Sequence, residues 1–236
     1  MKIDKNNRTI INIFGAPLII GSIMYSEVSF MLLLFIVITF SFYEFVCLLQ
    51  SKSKITFKNL ILGFFWISSI AYFLPVYQNF NPNFILVIFV AVWITDSFAY
   101  IFGKQFGVKK IFPAVSPNKT WVGSISGLIA SILFLYTLHM LPTILSFFGR
   151  LTPIKNIFPL YFNFYDILIL GIITGVVGQY GDYIESLFKR RLNVKDSSNI
   201  LLGHGGFLDR FDSLFIVGFF TFIYLLIRDL IIWVKI

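Results

Sequence analysis

GDYIESLFKRRLNVKDSSNILLGHGGFLDRFDS, residues 181–213, is a charged, glycine-broken stretch lodged between two apolar runs, 164–184 and 213–234, whose edges it shares. Each flank has about 20 residues, the helical length that crosses a bilayer. The stretch therefore reads as a polar segment held at a membrane surface by a helix on either side. It carries five of the chain's eleven carboxylates (Asp182, Glu185, Asp196, Asp209, Asp212) and five of its cations (Lys189, Arg190, Arg191, Lys195, Arg210). Carboxylates and cations gathered in that number suit metal ions and phosphates as partners.

Outward from this stretch the 236 residues are strongly apolar, 58% hydrophobic with 30 phenylalanines. Only 13% are charged, against about 25% in a soluble domain. Five more runs approach spanning length, roughly 10–26, 28–49, 59–78, 84–103 and 121–141. The expected fold is all-α: a polytopic integral membrane bundle of about seven transmembrane helices with a polar active-site pocket facing the cytoplasm. Residues 1–236 form one transmembrane domain, with N-terminal spans over 10–103, a motif-bearing region over 90–215 and a last span over 213–234. Gly15, Pro17 and Gly21 interrupt the run 10–26, which reads as a kinked span or a re-entrant hairpin with its neighbour. It lacks the small-residue cleavage site of a removable signal.

With the N-terminus in the cytoplasm, 15 of the 19 Lys and Arg residues fall in cytoplasmic segments. Arg150, Lys155 and Lys235 lie on the opposite side, and Arg228 is left inside the last span. This asymmetry places the N-terminus and both long polar loops, 104–120 and 185–212, on the cytoplasmic side. The location implied is a bacterial inner (cytoplasmic) membrane, multi-pass. Cytoplasmic basic loops also account for the net charge of +8 without nucleic acid as a partner. The lone Cys47 excludes an internal disulfide and reads as a small packed side chain. The outer loop 142–163 is assigned no chemistry, and its aromatics suit an interfacial belt.

Ionisable groups within a span are costly and face a bundle interior or a polar cavity. Glu44, Asp96 and Asp182 are such groups. Glu44 reads as a structural partner for a buried hydroxyl or cation. Asp96 and Asp182 sit at the cytoplasmic ends of their spans and reach one pocket. Glu185, Ser186 and Lys189 follow Asp182 at i+3, i+4 and i+7, one face of a continued helix. Gly203-His204-Gly205-Gly206 precedes the last span, where glycines let backbone N–H groups approach an anion at a helix N-terminus. Asp209 and Asp212 share a face of the opening turn and, as oxygen ligands, suit Mg²⁺. His204 could bind phosphate, relay a proton or cap the loop. In the other polar loop Pro117 fixes a turn, and Ser116, Lys119 and Thr120 suit phosphate oxygens. The same residues would also make an ordinary polar turn before a span.

The run Ser186-x-x-Lys189-Arg190 … Lys195-Asp196 … His204-Gly205-Gly206-x-x-Asp209-Arg210-x-Asp212 resembles the pattern of the phosphatidate cytidylyltransferase family. Asp96-Ser97-x-Ala99-Tyr100, Ser116-Pro117-x-Lys119-Thr120-Trp121 and Gly181-Asp182-x-x-Glu185-Ser186 resemble that family's other motifs, in the same order. The resemblance covers approximately residues 90–215. Leu202, Val122 and Asn118 depart from the residues the family usually has there, and the chain is short at its N-terminal end.

The resemblance implies transfer of CMP from CTP to phosphatidate, giving CDP-diacylglycerol and pyrophosphate. It implies Asp182 and Asp209 as ligands of Mg²⁺, with Asp212 as a further ligand or a neighbour of one, and Asp96 as a third acid lining the pocket. A second metal ion of unassigned identity is also compatible with it. Lys189, Arg190, Lys195 and Arg210 would hold phosphates or the departing pyrophosphate. Ser116, Lys119, Ser186, Gly205 and Gly206 would line the substrate site, and His204 would join the catalytic set. A homodimer in a lipid membrane is implied by the resemblance alone. The alternatives are another CTP-dependent lipid enzyme (a polyprenol or phytol-type kinase, or a cytidylyltransferase for a different lipid) and a membrane transporter. The full Lys-Asp … His-Gly-Gly … Asp-Arg-x-Asp run argues against the kinases. The gathering of acids on one side argues against the transporter.

Overall fold

The structure, a computed structural model, describes residues 5–52, 54–147, 162–201 and 205–234. Nine α-helices among these residues are α1 Lys5–Tyr25, α2 Glu27–Ser51, α3 Phe57–Ser68, α4 Phe73–Asn79, α5 Pro82–Phe106, α6 Trp121–Phe147, α7 Phe164–Ile172, α8 Gly178–Arg191 and α9 Leu208–Val234. Six helical segments are long and apolar enough to cross a membrane: Glu27–Ser51, Phe57–Asn79, Pro82–Phe106, Trp121–Leu141, Phe164–Arg191 and Leu208–Leu230. The chain is thus an all-α polytopic bundle. α1 is one continuous helix despite Pro17. Its described apolar part, Phe14–Tyr25, is shorter than a span. The chain turns at Ser26, whose hydroxyl accepts from the Ser29 N–H and caps α2.

Two of the spans are not regular. Between α3 and α4 the second of the six segments tightens into a 3₁₀ turn, Ser69–Tyr72. Pro75 cannot donate to the Ala71 carbonyl, which weakens the α-helical ladder here. Ser69 Oγ fastens the turn to α9 by donating to the Phe215 carbonyl (2.5 Å). Between α7 and α8 the fifth widens into a π-helical turn, Ile173–Val177. There Thr174 Oγ1 donates to the Leu170 carbonyl (2.8 Å) and accepts from Ser131 Oγ on α6 (2.6 Å). Such turns re-aim the residues that follow them, in this case the acidic stripe of α8.

α5 and α6 pack with almost no side chain between them. A Cβ added at Gly123 would lie 2.5 Å from the Ala99 carbonyl and 3.0 Å from Gly103 Cα, and one at Gly127 would lie 2.7 Å from the Thr95 carbonyl. Small residues at a membrane helix interface allow this closeness, and dispersion then holds the pair. The helices are joined by an antiparallel hairpin, β1 Lys110–Phe112 and β2 Ser116–Thr120. This revises the reading of Pro117 as a turn residue: the turn is residues 113–115, and Pro117 lies within β2. Both strands of a two-stranded hairpin are edges, where proline is tolerated. The largest fully buried side chains of the apolar core are phenylalanines, Phe30, Phe73, Phe84, Phe89 and Phe215, set among Leu, Ile and Val.

At the far end from the charged stretch, Arg228 has a partner. Its Nε and Nη2 donate to the Asp166 carboxylate (2.6 and 3.2 Å), which also accepts from Tyr224 Oη (2.5 Å). The guanidinium stands 4.5 Å above the Phe162 ring. Asp166 completes a capping box with Asn163 at the start of α7. The 142–163 connection lies largely outside the described residues.

Candidate active site

The stripe expected after Asp182 forms on α8, where Glu185, Ser186 and Lys189 are buried. α9 crosses it closely at Gly181, where an added Cβ would lie 2.7 Å from the Asp212 carbonyl and 3.0 Å from Ser213 Cα. This contact brings Asp212 against α8. Carboxylate oxygens of Asp182, Glu185 and Asp212 lie within 4.8 Å of one another. Glu185 Oε2 pairs with Lys189 Nζ (2.7 Å), while its Oε1 is buried with no hydrogen-bond partner. A buried carboxylate with one oxygen unpartnered and two further carboxylates close by is costly without a cation. The donors are all hard oxygens, a set that fits Mg²⁺.

Beside the triad is a cavity of about 220 Å³, lined by Asp96, Tyr100, Asn118, Lys119, Gln179 and Asp182 among others. Asp96 and Asp182 therefore share one pocket, reached from α5 and α8. Lys119, carried in by β2, ion-pairs with Asp182 Oδ2 (2.5 Å). Gln179 is fixed by donating to the carbonyls of Ser124 (3.1 Å) and Gly175 (2.5 Å). The result is an acid-lined chamber with one cation, Lys119, among its described lining residues.

Asp209 is placed differently. Its carboxylate accepts from Lys189 Nζ (2.6 Å), the Ser197 N–H (2.9 Å), Ser197 Oγ (3.0 Å) and the Gly206 N–H (2.8 Å). Asp209 thus closes the segment ahead of α9 and reaches the triad through Lys189, which bridges it to Glu185. Glu44 arrives from α2 to do similar work. It accepts from Ser197 Oγ (2.9 Å), Ser198 Oγ (2.6 Å), the Phe207 N–H (3.0 Å) and the Leu208 N–H (2.9 Å). The reading of Glu44 as a partner of buried hydroxyls is met, and Glu44 is also the anion at the N-terminus of α9. The glycines make room for these carboxylates. Gly205 has φ +81°, and a Cβ at Gly206 would collide with the Glu44 carboxylate and Ser197 Oγ.

The remaining expected site residues are distributed around this core. Ser186 Oγ donates to Asp182 Oδ1 (3.3 Å). Arg190 donates to the carbonyls of Val115 (3.1 Å) and Val194 (2.7 Å), tying the hairpin to the end of α8. Ser116 sits opposite Phe112 in the hairpin, away from the cavity lining. Thr120 is largely buried and caps α6 by accepting from the Gly123 N–H (3.2 Å), and it lines the chamber beside Lys119. Lys195, Asp196 and Arg210 are exposed on the surface of the connecting segment and the first turn of α9. His204 and Leu202 lie outside the described residues. Ser197 as the hub between two carboxylates and Gln179 were missed by sequence reasoning, and Glu185 was placed on the stripe without being named as a metal ligand. The helical spacing from Asp182 pointed to Glu185. Ser197 and Gln179 carried no signal.

Fold and site together define a polytopic membrane protein with an acid-lined polar site where the middle of α8 meets the start of α9. Residues 52–228 match the model of the Cytidylyltransferase family, and the chain belongs to that family. It is similar to proteins named phosphatidate cytidylyltransferase from Staphylococcus haemolyticus (39% identical over 173 residues, 71% of this chain and 59% of the relative). The similarity to one from Staphylococcus aureus is 38% over 175 residues, again 71% of this chain and 59% of the relative. The chain thus spans about three-fifths of the length of these curated relatives.

Proposed function

We propose that this chain transfers CMP from CTP to phosphatidate, forming CDP-diacylglycerol and releasing pyrophosphate. The observation that carries the reading is the triad of Asp182, Glu185 and Asp212, with an orphaned Glu185 oxygen, beside a chamber walled by Asp96 and Lys119. The printed name of the relatives supports the substrates. Asp182, Glu185 and Asp212 would hold Mg²⁺, which when bound neutralises charge on phosphate oxygens. Lys119 supplies a point charge for a phosphate on the chamber wall. Its ion pair with Asp182 holds its ammonium at the site before substrate arrives. An oxygen of the phosphatidate phosphate attacks the α-phosphorus of CTP, and the bond from that phosphorus to the pyrophosphate oxygen breaks. Positioning and charge neutralisation carry such a step, so no covalent enzyme intermediate is required.

Asp209 acts in this scheme as a positioning residue, holding Lys189, Ser197 and Gly206; Lys195, His204 and Arg210 keep their part with the departing pyrophosphate as the family expectation alone. The 15 cations assigned to one side support an N-terminus and a site facing the cytoplasm from the inner membrane. The chain works as one transmembrane domain. The homodimer and a second metal ion remain part of the family expectation. A transporter reading finds less support, because the site's carboxylates gather at one end of the bundle while Asp166, at the other, is paired with Arg228.

The test is transfer of labelled CTP into lipid by the purified protein with phosphatidate and Mg²⁺, beside Asp182→Asn and Asp212→Asn. The expected result is CDP-diacylglycerol from the parent and loss of at least about a hundredfold in each variant, the scale of a lost electrostatic contact in a transition state. A folded parent that makes no lipid product from CTP and phosphatidate overturns the assignment.

A further inference from the structure

The face of α8 opposite the acidic stripe lines a second feature. Tyr180, Ile184, Phe188 and Arg191 follow one another there at helical spacing, and the side of α3 meets them across two adjoining cavities. One, of about 330 Å³, has Lys54, Asn59 and Arg191 among its lining residues, with Leu62 and Phe188 below them. The other, of about 630 Å³, is almost wholly apolar and runs on past Tyr72 and Phe219. Trp66 and Ile184 line both, so the two cavities adjoin along one groove between α3 and α8.

The groove is charged at one end only. Lys54 and Arg191 are exposed, and no carboxylate lines either cavity. Among the described residues neither cation is in an ion pair. Lys54 Nζ donates to the Arg191 carbonyl (3.3 Å), and Asn59 Nδ2 donates to the Lys54 carbonyl (3.0 Å), which gathers the polar groups at the rim. From there the walls descend through residues 57–72 on one side and 191–176 on the other. Each is about 22 Å of helix at 1.5 Å per residue. That exceeds half of the roughly 30 Å hydrocarbon thickness, so the apolar walls cover the depth of one leaflet.

We propose that this groove binds an anionic diacyl glycerophospholipid of the surrounding bilayer. Its headgroup phosphate rests on Lys54 and Arg191, and an acyl chain lies along Leu62, Trp66 and Ile184 toward Phe219. The site is separate from the catalytic chamber, because the body of α8 stands between them. Two cations without a carboxylate select a headgroup of net negative charge over a zwitterionic one. The apolar walls take the chain, which free phosphate lacks.

Trp66 reports on the groove directly. The protein is reconstituted into nanodiscs containing equal mole fractions of brominated phosphatidylglycerol or brominated phosphatidylcholine. Quenching by each is measured for the parent and for Trp66→Phe, and the difference isolates Trp66. The expected result is preferential quenching by the anionic lipid, with the apparent affinity ratio falling about fivefold for each cation removed in Lys54→Ala and Arg191→Ala. Native mass spectrometry of detergent-purified parent and double variant gives a second readout, with retained anionic lipid expected only in the parent. Equal quenching by both lipids, quenching by neither, or a preference that survives in the double variant overturns the proposal. None of these readouts depends on CTP turnover.

Discussion

Glu44 and Asp209 each draw four hydrogen-bond donors onto one carboxylate, and they share Ser197. Each Glu44 oxygen accepts one hydroxyl and one backbone N–H, so Glu44→Gln must turn an amide NH₂ toward a backbone N–H. That leaves a buried donor unsatisfied, at a cost of about 1–3 kcal/mol. The expected outcome is a lower unfolding temperature in detergent together with reduced CTP turnover, both measured on one preparation. Glu185→Gln addresses the triad instead. It is expected to raise the Mg²⁺ concentration needed for half-maximal activity by about tenfold or more, the size of effect seen when a ligand or its support is lost. Unchanged Mg²⁺ dependence would remove Glu185 from the metal site. Asp182, Glu185, Ser186 and Lys189 were legible in sequence because helical spacing alone puts them on one stripe. The destination of Asp209 was not. Whether Lys189 meets Asp209 or a phosphate depends on how α8 and α9 cross, and Gly181 sets that crossing in three dimensions.

Among the elements, α5 and α6 set the position of β2 and therefore of Lys119. Their close approach at Gly123 leaves no space for a side chain, and Gly123→Leu must push the helices apart. Overpacking of this kind costs about 1–3 kcal/mol. The variant is expected to lose thermal stability and to lose activity out of proportion, since the hairpin moves with α6. Full activity with unchanged stability would deny the pair this role. The spans themselves were readable from apolar length, but their irregularities were not. The π turn at 173–177 depends on Thr174 meeting Ser131 of another helix. The 110–120 hairpin was hidden because Pro117 has the look of a turn former and only a two-stranded ribbon accepts it at an edge.

Over the whole molecule, charge is placed at the two ends of the bundle and treated differently at each. The Asp166–Arg228 pair joins α7 to α9 with every carboxylate oxygen engaged, and no cavity opens on it among those described. Breaking a buried pair from one side costs about 3–5 kcal/mol. Asp166→Asn is therefore expected to lower thermal stability sharply while leaving the Mg²⁺ dependence of the surviving folded fraction unchanged. A shift in that dependence would mean the two ends communicate. The bond network of Glu44 has a further meaning for biosynthesis. Its partners lie 153 to 164 residues downstream, so the nascent chain commits α2 to the bilayer long before Ser197 and Leu208 leave the ribosome. Until then a carboxylate waits in the membrane without its donors, at a standing cost. Arrival of the last helix relieves that cost and completes the chamber in one event, so a prematurely terminated chain carries a marker of its own incompleteness for membrane quality control to read.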